Sequence, residues 1–326
     1  MSTWKSHVAA LAAVALLAAG AAAADWPQWR GPNFNGSSPE TGLPETWSRT
    51  DGIAWSVPLP GPGDATPVIC GGRVFVSSTD EASGALLGMA FAVEDGRSLW
   101  TVRLGTSARA PRNTMASPSP VTDGKTVVFL YGTGEIAGLT VDGKVLWRRN
   151  LGEEFGKVAV KYGYSSSPLL YDGRVYVLML RRSWPYRYSP GRATEAGRNR
   201  ALDSFLLAMD PATGKTAWRQ VRPTEAIDES FETYGTPVPL TVDGRVDLVI
   251  SGGDNVTGHD PATGAERWRW AYNTKHRNWQ RLIPSPTPGA GRVFVPMPRG
   301  NRLVTLEPAG ETARPVWELR GPTTDS

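Results

Sequence analysis

The chain has 326 residues, 40% of them apolar, with 36 Gly, 27 Pro and 13 Trp, and these three rising together favour short strands joined by turns over a helical protein. One cysteine, Cys70, excludes an intrachain disulfide and a cysteine-based metal site, and 3 His are too few for a histidine-rich metal centre. The formal net charge of +4 is too small for a dedicated nucleic-acid binder.

The N-terminus reads as a targeting segment over residues 1–24. Lys5 supplies the positive start, Val8 to Ala19 is apolar, and Ala22-Ala23-Ala24 before Asp25 forms an A-x-A cleavage site. The expectation is export to the periplasm or exterior, with cleavage between Ala24 and Asp25. No cysteine follows the apolar run to carry a lipid, and no later run is long enough to span a bilayer as a helix. Residues 25–54 form an N-terminal segment, and residues 55–326 carry a repeat. Cys70 lies in "TPVICGGRVFV", which reads as strand, so a small buried apolar role is expected for it.

The repeat is set by Trp. A Gly-x-x-x-Trp ending recurs at Gly96–Trp100, Gly143–Trp147, Gly214–Trp218 and Gly264–Trp268. A looser copy ends at Trp317, and a short one, "DGIAW", ends at Trp55. Successive Trp are 45, 47, 71, 50 and 49 residues apart, a period that marks a propeller or array with one insertion. In phase with the Trp run "TPVICGGRVFV", "SPVTDGKTVVF", "SPLLYDGRVYV", "TPVPLTVDGRVDLVI" and "SPTPGAGRVFV". Each reads as strand, tight turn, strand. A third strand such as "FLLAM" and a fourth carrying the Trp complete a unit of four antiparallel strands, one propeller blade.

"DPATG" occurs twice, at Asp210–Gly214 and Asp260–Gly264. The Asp side chain can accept nearby backbone N–H groups, Pro sets φ near −65°, and Gly takes a position needing positive φ. The copies "VEDGRSLW" and "TVDGKVLW" keep only the acid and the Gly, as a turn requires. A calcium loop would need alternating acidic ligands, which are lacking. The Trp itself is expected to fill the wedge between blades.

With its A-x-D-x-x-T-G-x-x-x-W endings and S/T-P-x-x-x-x-G-x-V-Y/F-V openings, the sequence resembles the pyrroloquinoline-quinone-like β-propeller repeat family over roughly residues 50–320. The opening "DWPQWRGPNFNG" is similar to the start of exported bacterial members. The resemblance implies an all-β propeller, which the family usually closes with about seven or eight blades. Full units here end at Trp100, Trp147, Trp218, Trp268 and Trp317. The expectation is therefore five to six blades, either truncated after "LRGPTTDS" or closed as six with the N-terminal strand. Function is left open by the family, which includes quinone-binding alcohol dehydrogenases and the partner-binding propeller subunit of outer-membrane protein assembly.

Blade topology separates two faces. The short DG and DPATG turns belong to one. The long segments 105–118, 152–168, 222–237 and 273–286, with an insertion at 181–200, belong to the other, which is expected to be the working face. Segments feeding the innermost strands place Arg112, Asn113, Tyr162, Tyr164, Glu232, Tyr234, Asn278 and Trp279 at the rim of the central channel. They suit a polar ligand or peptide, or they close the channel mouth with hydrogen bonds. The insertion holds six Arg against one Glu. Arg181, Arg182, Trp184, Tyr186, Arg187 and Tyr188 are its candidates for partner contact, against the alternative of a solvated hairpin.

No adjacent cysteines, C-x-x-C-H haem segment or G-x-S-x-G elbow occurs. Nor is there a clear match to the dehydrogenases' catalytic Asp and calcium ligands. Hydrolysis or elimination would need paired carboxylates or a His constellation; Asp228 and Glu232 lie near the working face, but no second motif accompanies them. The reading is an exported, non-catalytic scaffold that binds a protein, peptide or envelope component, with no cofactor and no nucleic acid. The alternative is a quinoprotein oxidoreductase using pyrroloquinoline quinone with Ca²⁺.

Overall fold

Where Ser/Thr-Pro is followed by Gly-Arg/Lys, the chain makes two short antiparallel strands around a tight turn, and two more strands complete a meander. The computed structural model describes residues 24–109, 112–182 and 202–321. Blade one is β1 (Val68–Cys70), β2 (Arg73–Asp80), β3 (Ala85–Ala92) and β4 (Ser98–Thr106). Blade two is β5 (Val121–Thr122), β6 (Thr126–Leu130), β7 (Glu135–Thr140) and β8 (Val145–Asn150), followed by the single-turn α1 (Leu151–Phe155). Blade three is β9 (Leu169–Tyr171), β10 (Arg174–Met179), β11 (Phe205–Met209) and β12 (Thr216–Val221). Blade four is β13 (Val238–Val242), β14 (Arg245–Gly252), β15 (Asn255–His259) and β16 (Glu266–Ala271). Blade five is β17 (Thr287–Gly289), β18 (Arg292–Pro296), β19 (Arg302–Ala309) and β20 (Thr312–Arg320). Each pairs in sequence order, and a parallel contact of Arg269 with Thr312 joins the last two blades at β16 and β20. The chain is an all-β propeller of four-stranded antiparallel blades.

The core lies between blades. Middle strands such as β6 and β11 are buried along their whole length, because each face of a blade packs on a neighbour. Phe75 and Leu86 of blade one meet Val127 and Phe129 of blade two. Val128 and Leu130 meet Val177 and Phe205 of blade three. Tyr176 and Leu206 then meet Leu248 and Ile250 of blade four, and Val249 and Val256 meet Val293 and Val304 of blade five.

Two hydrogen-bonded devices register the blades. In the first, a Trp indole N–H donates to a carbonyl in the β3–β4-type turn of the next blade. The pairs are Trp55 to Val93 (2.8 Å), Trp100 to Val141 (3.0 Å), Trp147 to Pro211 (2.7 Å) and Trp218 to Pro261 (3.2 Å). The turn glycine lies under the ring. A Cβ on Gly214 or Gly264 would come within 2.5 Å of Trp147 or Trp218. Their φ of +68° and +79° already disfavours side chains. The Asp of each turn works as expected: Asp210 Oδ1 accepts Thr213 N–H (2.8 Å), and Asp260 Oδ1 accepts Ala262 N–H (2.6 Å).

The last two Trp depart from this pattern. Trp268 is buried, but its indole donates within its own blade to Asp247 Oδ2 (2.8 Å). The fifth blade's turn, Gly310–Glu311, has no Asp, and nothing lies within 4 Å of a Cβ on Gly310. Trp317 stands 50% exposed on β20.

The second device explains why Ser or Thr precedes each Pro. Its hydroxyl accepts the backbone N–H of the equivalent residue in the preceding blade. Thr66 N–H donates to Ser119 (2.9 Å), Ser119 to Ser167 (2.9 Å), Ser167 to Thr236 (3.0 Å) and Thr236 to Ser285 (2.7 Å).

The N-terminal segment crosses the axis as a strap. Trp26 bridges Ile69, the Pro27 carbonyl accepts from Thr122 N–H (2.9 Å), and Gln28 Oε1 accepts from Leu170 N–H (3.0 Å). Arg30 donates to the Pro286 carbonyl (3.1 Å) and the Thr287 hydroxyl (2.6 Å). It thus touches the innermost strands of blades one, two, three and five. Cys70 is half-buried rather than a core residue, and its thiol donates to Asp25 Oδ2 (3.2 Å). Burial and that carboxylate push its pKa up to about 11, which suppresses thiolate reactivity.

Candidate functional site

The long segments meet over the axis, and ion pairs hold them there. Arg182 leaves β10 into the interior, where its guanidinium pairs with Asp228 Oδ1 (2.7 Å) and with Glu232. Glu229 takes Lys161 from the blade two–three loop and Arg281 from the blade four–five loop. Asp228, Glu229 and Glu232 come from one short stretch whose 3₁₀ turn, Asp228–Phe231, aims them inward. Glu229 N–H donates to Asn278 Oδ1 (3.1 Å), and Asn278 Nδ2 donates to Asp228 Oδ2 (2.8 Å). Three loops are thereby locked together.

Above this network sits an aromatic and cationic layer. The Tyr162 ring faces Arg112 at 5.3 Å, Lys161 at 5.0 Å and Arg281 at 5.1 Å, distances at which a cation is drawn to the ring face. Tyr234 OH donates to Glu232 Oε2 (3.2 Å). Burial raises the Glu232 pKa to about 7 against the opposing pull of Arg182. Burial, and then the Glu232 carboxylate, push Tyr234 upward as well. Because Arg182 holds both Asp228 and Glu232, neither is placed as a solvent-facing base.

Of the expected rim residues, Arg112, Tyr162, Glu232, Tyr234 and Asn278 come together in this assembly. Asn113 and Tyr234 line an axial cavity of about 390 Å³, with Asp64, Ser117, Ser165 and the strap residues Trp29 and Arg30. Trp279 is 40% exposed, and Ile283, which also lines the axial cavity, is 41% exposed. Tyr164 is not at the rim: it is buried in the core between blades two and three, and its hydroxyl donates to the Leu178 carbonyl (2.7 Å). Arg181 and Arg182 are not surface contacts either. Both are buried, and Arg181 donates to the carbonyls of Phe155 (2.6 Å), Lys157 (3.0 Å) and Asp203 (3.1 Å). Trp184, Tyr186, Arg187 and Tyr188 lie outside the described residues.

Sequence reading missed Lys161, Glu229 and Arg281. Their only local signal was the cluster "DESFE" at 228–232, which gives no sign of partners about fifty to seventy residues away. His259 is a structural ring, its nitrogens at 3.0 Å from the Gly264 carbonyl and 2.9 Å from the Thr257 hydroxyl. Burial lowers its pKa to about 4.

The family model described as outer membrane protein assembly factor BamB matches residues 46–183 and 203–326. The chain belongs to this family. Among solved structures, BamB from Moraxella catarrhalis is similar with a TM-score of 0.52 at 17% identity, over 82% of this chain and 64% of that one. A quinohemoprotein alcohol dehydrogenase from Comamonas testosteroni gives 0.54 at 16% identity, over 89% of this chain and 49% of that one. At such identities these likenesses show the fold. The chain thus spans less than two thirds of the length of either. No curated protein matches.

The alternative raised by the sequence, pyrroloquinoline quinone with calcium, can be set against the residues of the axial cavity. That quinone is a tricarboxylate. The cavity offers it one guanidinium, Arg30, already committed to Pro286 and Thr287, beside the carboxylate of Asp64. Calcium takes roughly six to eight oxygens, and no group of three or more His, Cys, Asp or Glu suited to a metal occurs among the described residues. The donor set does not fit the group.

Proposed function

We propose that the chain is an exported, non-catalytic scaffold that binds a protein or peptide of the cell envelope through its long-loop face. The observation that carries this reading is the anchoring of the rim. Trp279 and Ile283 are exposed on a loop pinned through Asn278, Ser230 and Arg281 to a buried ion network. Large apolar side chains held rigid in water, with Tyr and Arg close by, have the composition of binding hot spots. The ionisable groups beneath them are paired with one another, which supports a docking platform over a reaction centre. Family membership is consistent with a partner in outer-membrane protein assembly. No helix among the described residues is long and apolar enough to cross a membrane.

Affinity capture from envelope extract tests the reading. The wild-type chain should recover a defined partner, and Trp279→Ala with Ile283→Ala should lose it while the melting temperature holds. Equal recovery by both would refute the assignment of the face. Stoichiometric retention of pyrroloquinoline quinone with Ca²⁺, accompanied by dye-linked alcohol oxidation, would refute the non-catalytic reading.

A further inference from the structure

A cleft of about 450 Å³ opens on the long-loop face beside blade two, between the segment that enters it from blade one and the segment that leaves it towards blade three. Its apolar lining is Met115, Val158 and Val160, with Gly132, Gly152 and Gly163 beside them. Its border is basic. Arg109, Lys157 and Lys161 line it against one acid, Glu153, and Arg112 stands next to it over Tyr162. Lys161 is committed to Glu229. Arg109 and Arg112 are exposed and make no ion pair among the described residues.

We infer that this cleft binds an extended peptide segment in which carboxylates alternate with apolar side chains. The inference rests on the docking function proposed above and names the chemistry of its partner. An extended strand sends successive side chains to opposite sides. Apolar ones would meet Met115 and Val158 in the cleft, and acidic ones would reach Arg109 and Arg112 at the rim. Bidentate guanidinium–carboxylate pairs give such contacts direction as well as strength. A flat anionic membrane surface would meet the exposed cations but would leave the apolar lining of the cleft unused.

Fluorescence anisotropy with a labelled peptide of alternating Glu and Val, and a Lys–Val counterpart, tests this on the full chain. The acidic probe should bind, weaken with salt over roughly 50 to 300 mM, and lose about ten-fold or more in affinity with Arg109→Glu plus Arg112→Glu. Lys125→Glu, on a short turn of the opposite face, should leave affinity unchanged. Circular dichroism and melting of each variant separate lost binding from lost folding. Equal binding of both probes, equal loss with Lys125→Glu, or preference for phosphatidylglycerol vesicles over the acidic peptide would overturn the inference. If the acidic probe fails while envelope capture still depends on Trp279 and Ile283, the docking function stands and this cleft is not its peptide site.

Discussion

Gly214 and Gly310 occupy equivalent turn positions with similar backbone, φ +68° and +64°, but only Gly214 carries a Trp ring against its Cα. Gly214→Ala meets both a left-handed backbone penalty and a clash with Trp147, and should cost about 2–4 kcal/mol. Gly310→Ala meets only the first and should cost about 1 kcal/mol. Urea denaturation of the two variants measures the difference, and equal costs would mean that the ring is not seated as described. Glu232 gives a second residue-scale outcome. Its folded pKa of about 7 lies above the ordinary 4.5, so the folded chain binds this proton more tightly than the unfolded one. The resulting stabilisation is complete below about pH 4.5 and is lost as pH rises towards about 7. Glu232→Gln should flatten the decline of stability across that window. Parallel wild-type and variant curves would reject the assignment.

At the scale of the strand, the hydroxyl relay between innermost strands predicts which side chains can begin β9. Ser167 is buried and is the sole described acceptor of Ser119 N–H. Ser167→Ala leaves that N–H without a partner and should cost about 1–3 kcal/mol, whereas Ser167→Thr, the residue blades one and four use, should be nearly neutral by thermal melting. The four-strand unit was legible because its signals are local: Ser/Thr-Pro, a Gly turn, β-branched runs and a Trp at a fixed distance. The candidate site was legible only in outline. Arg182 read as part of a basic loop because its carboxylates lie 46 and 50 residues further on, and composition carries no information about such distances. Tyr164, one turn of chain from the rim, rotates into the core for the same reason. The Trp–turn pairing was visible as a motif, but the sequence places each Trp beside its own turn, while packing seats Trp100, Trp147 and Trp218 on the next one.

Across the whole molecule, blade cores pack on their neighbours, while the ion pairs of the long loops and the strap at residues 25–35 add longer-range ties. Stability then behaves as a chain of pairwise junctions. The junction between blades four and five is built differently from the rest: the indole of Trp268 turns inward to Asp247, and a gap of about 300 Å³ opens beside Pro308 and Gly310. A mechanical consequence follows for how the protein comes apart. Under load or heat, a series of couplings yields at its softest member, so β17–β20 should detach as a unit while the first four blades keep their order. Hydrogen exchange should report this as early, correlated loss of protection over 287–320 ahead of 126–140. Uniform exchange across all blades would instead mean that the blades open in a single cooperative step.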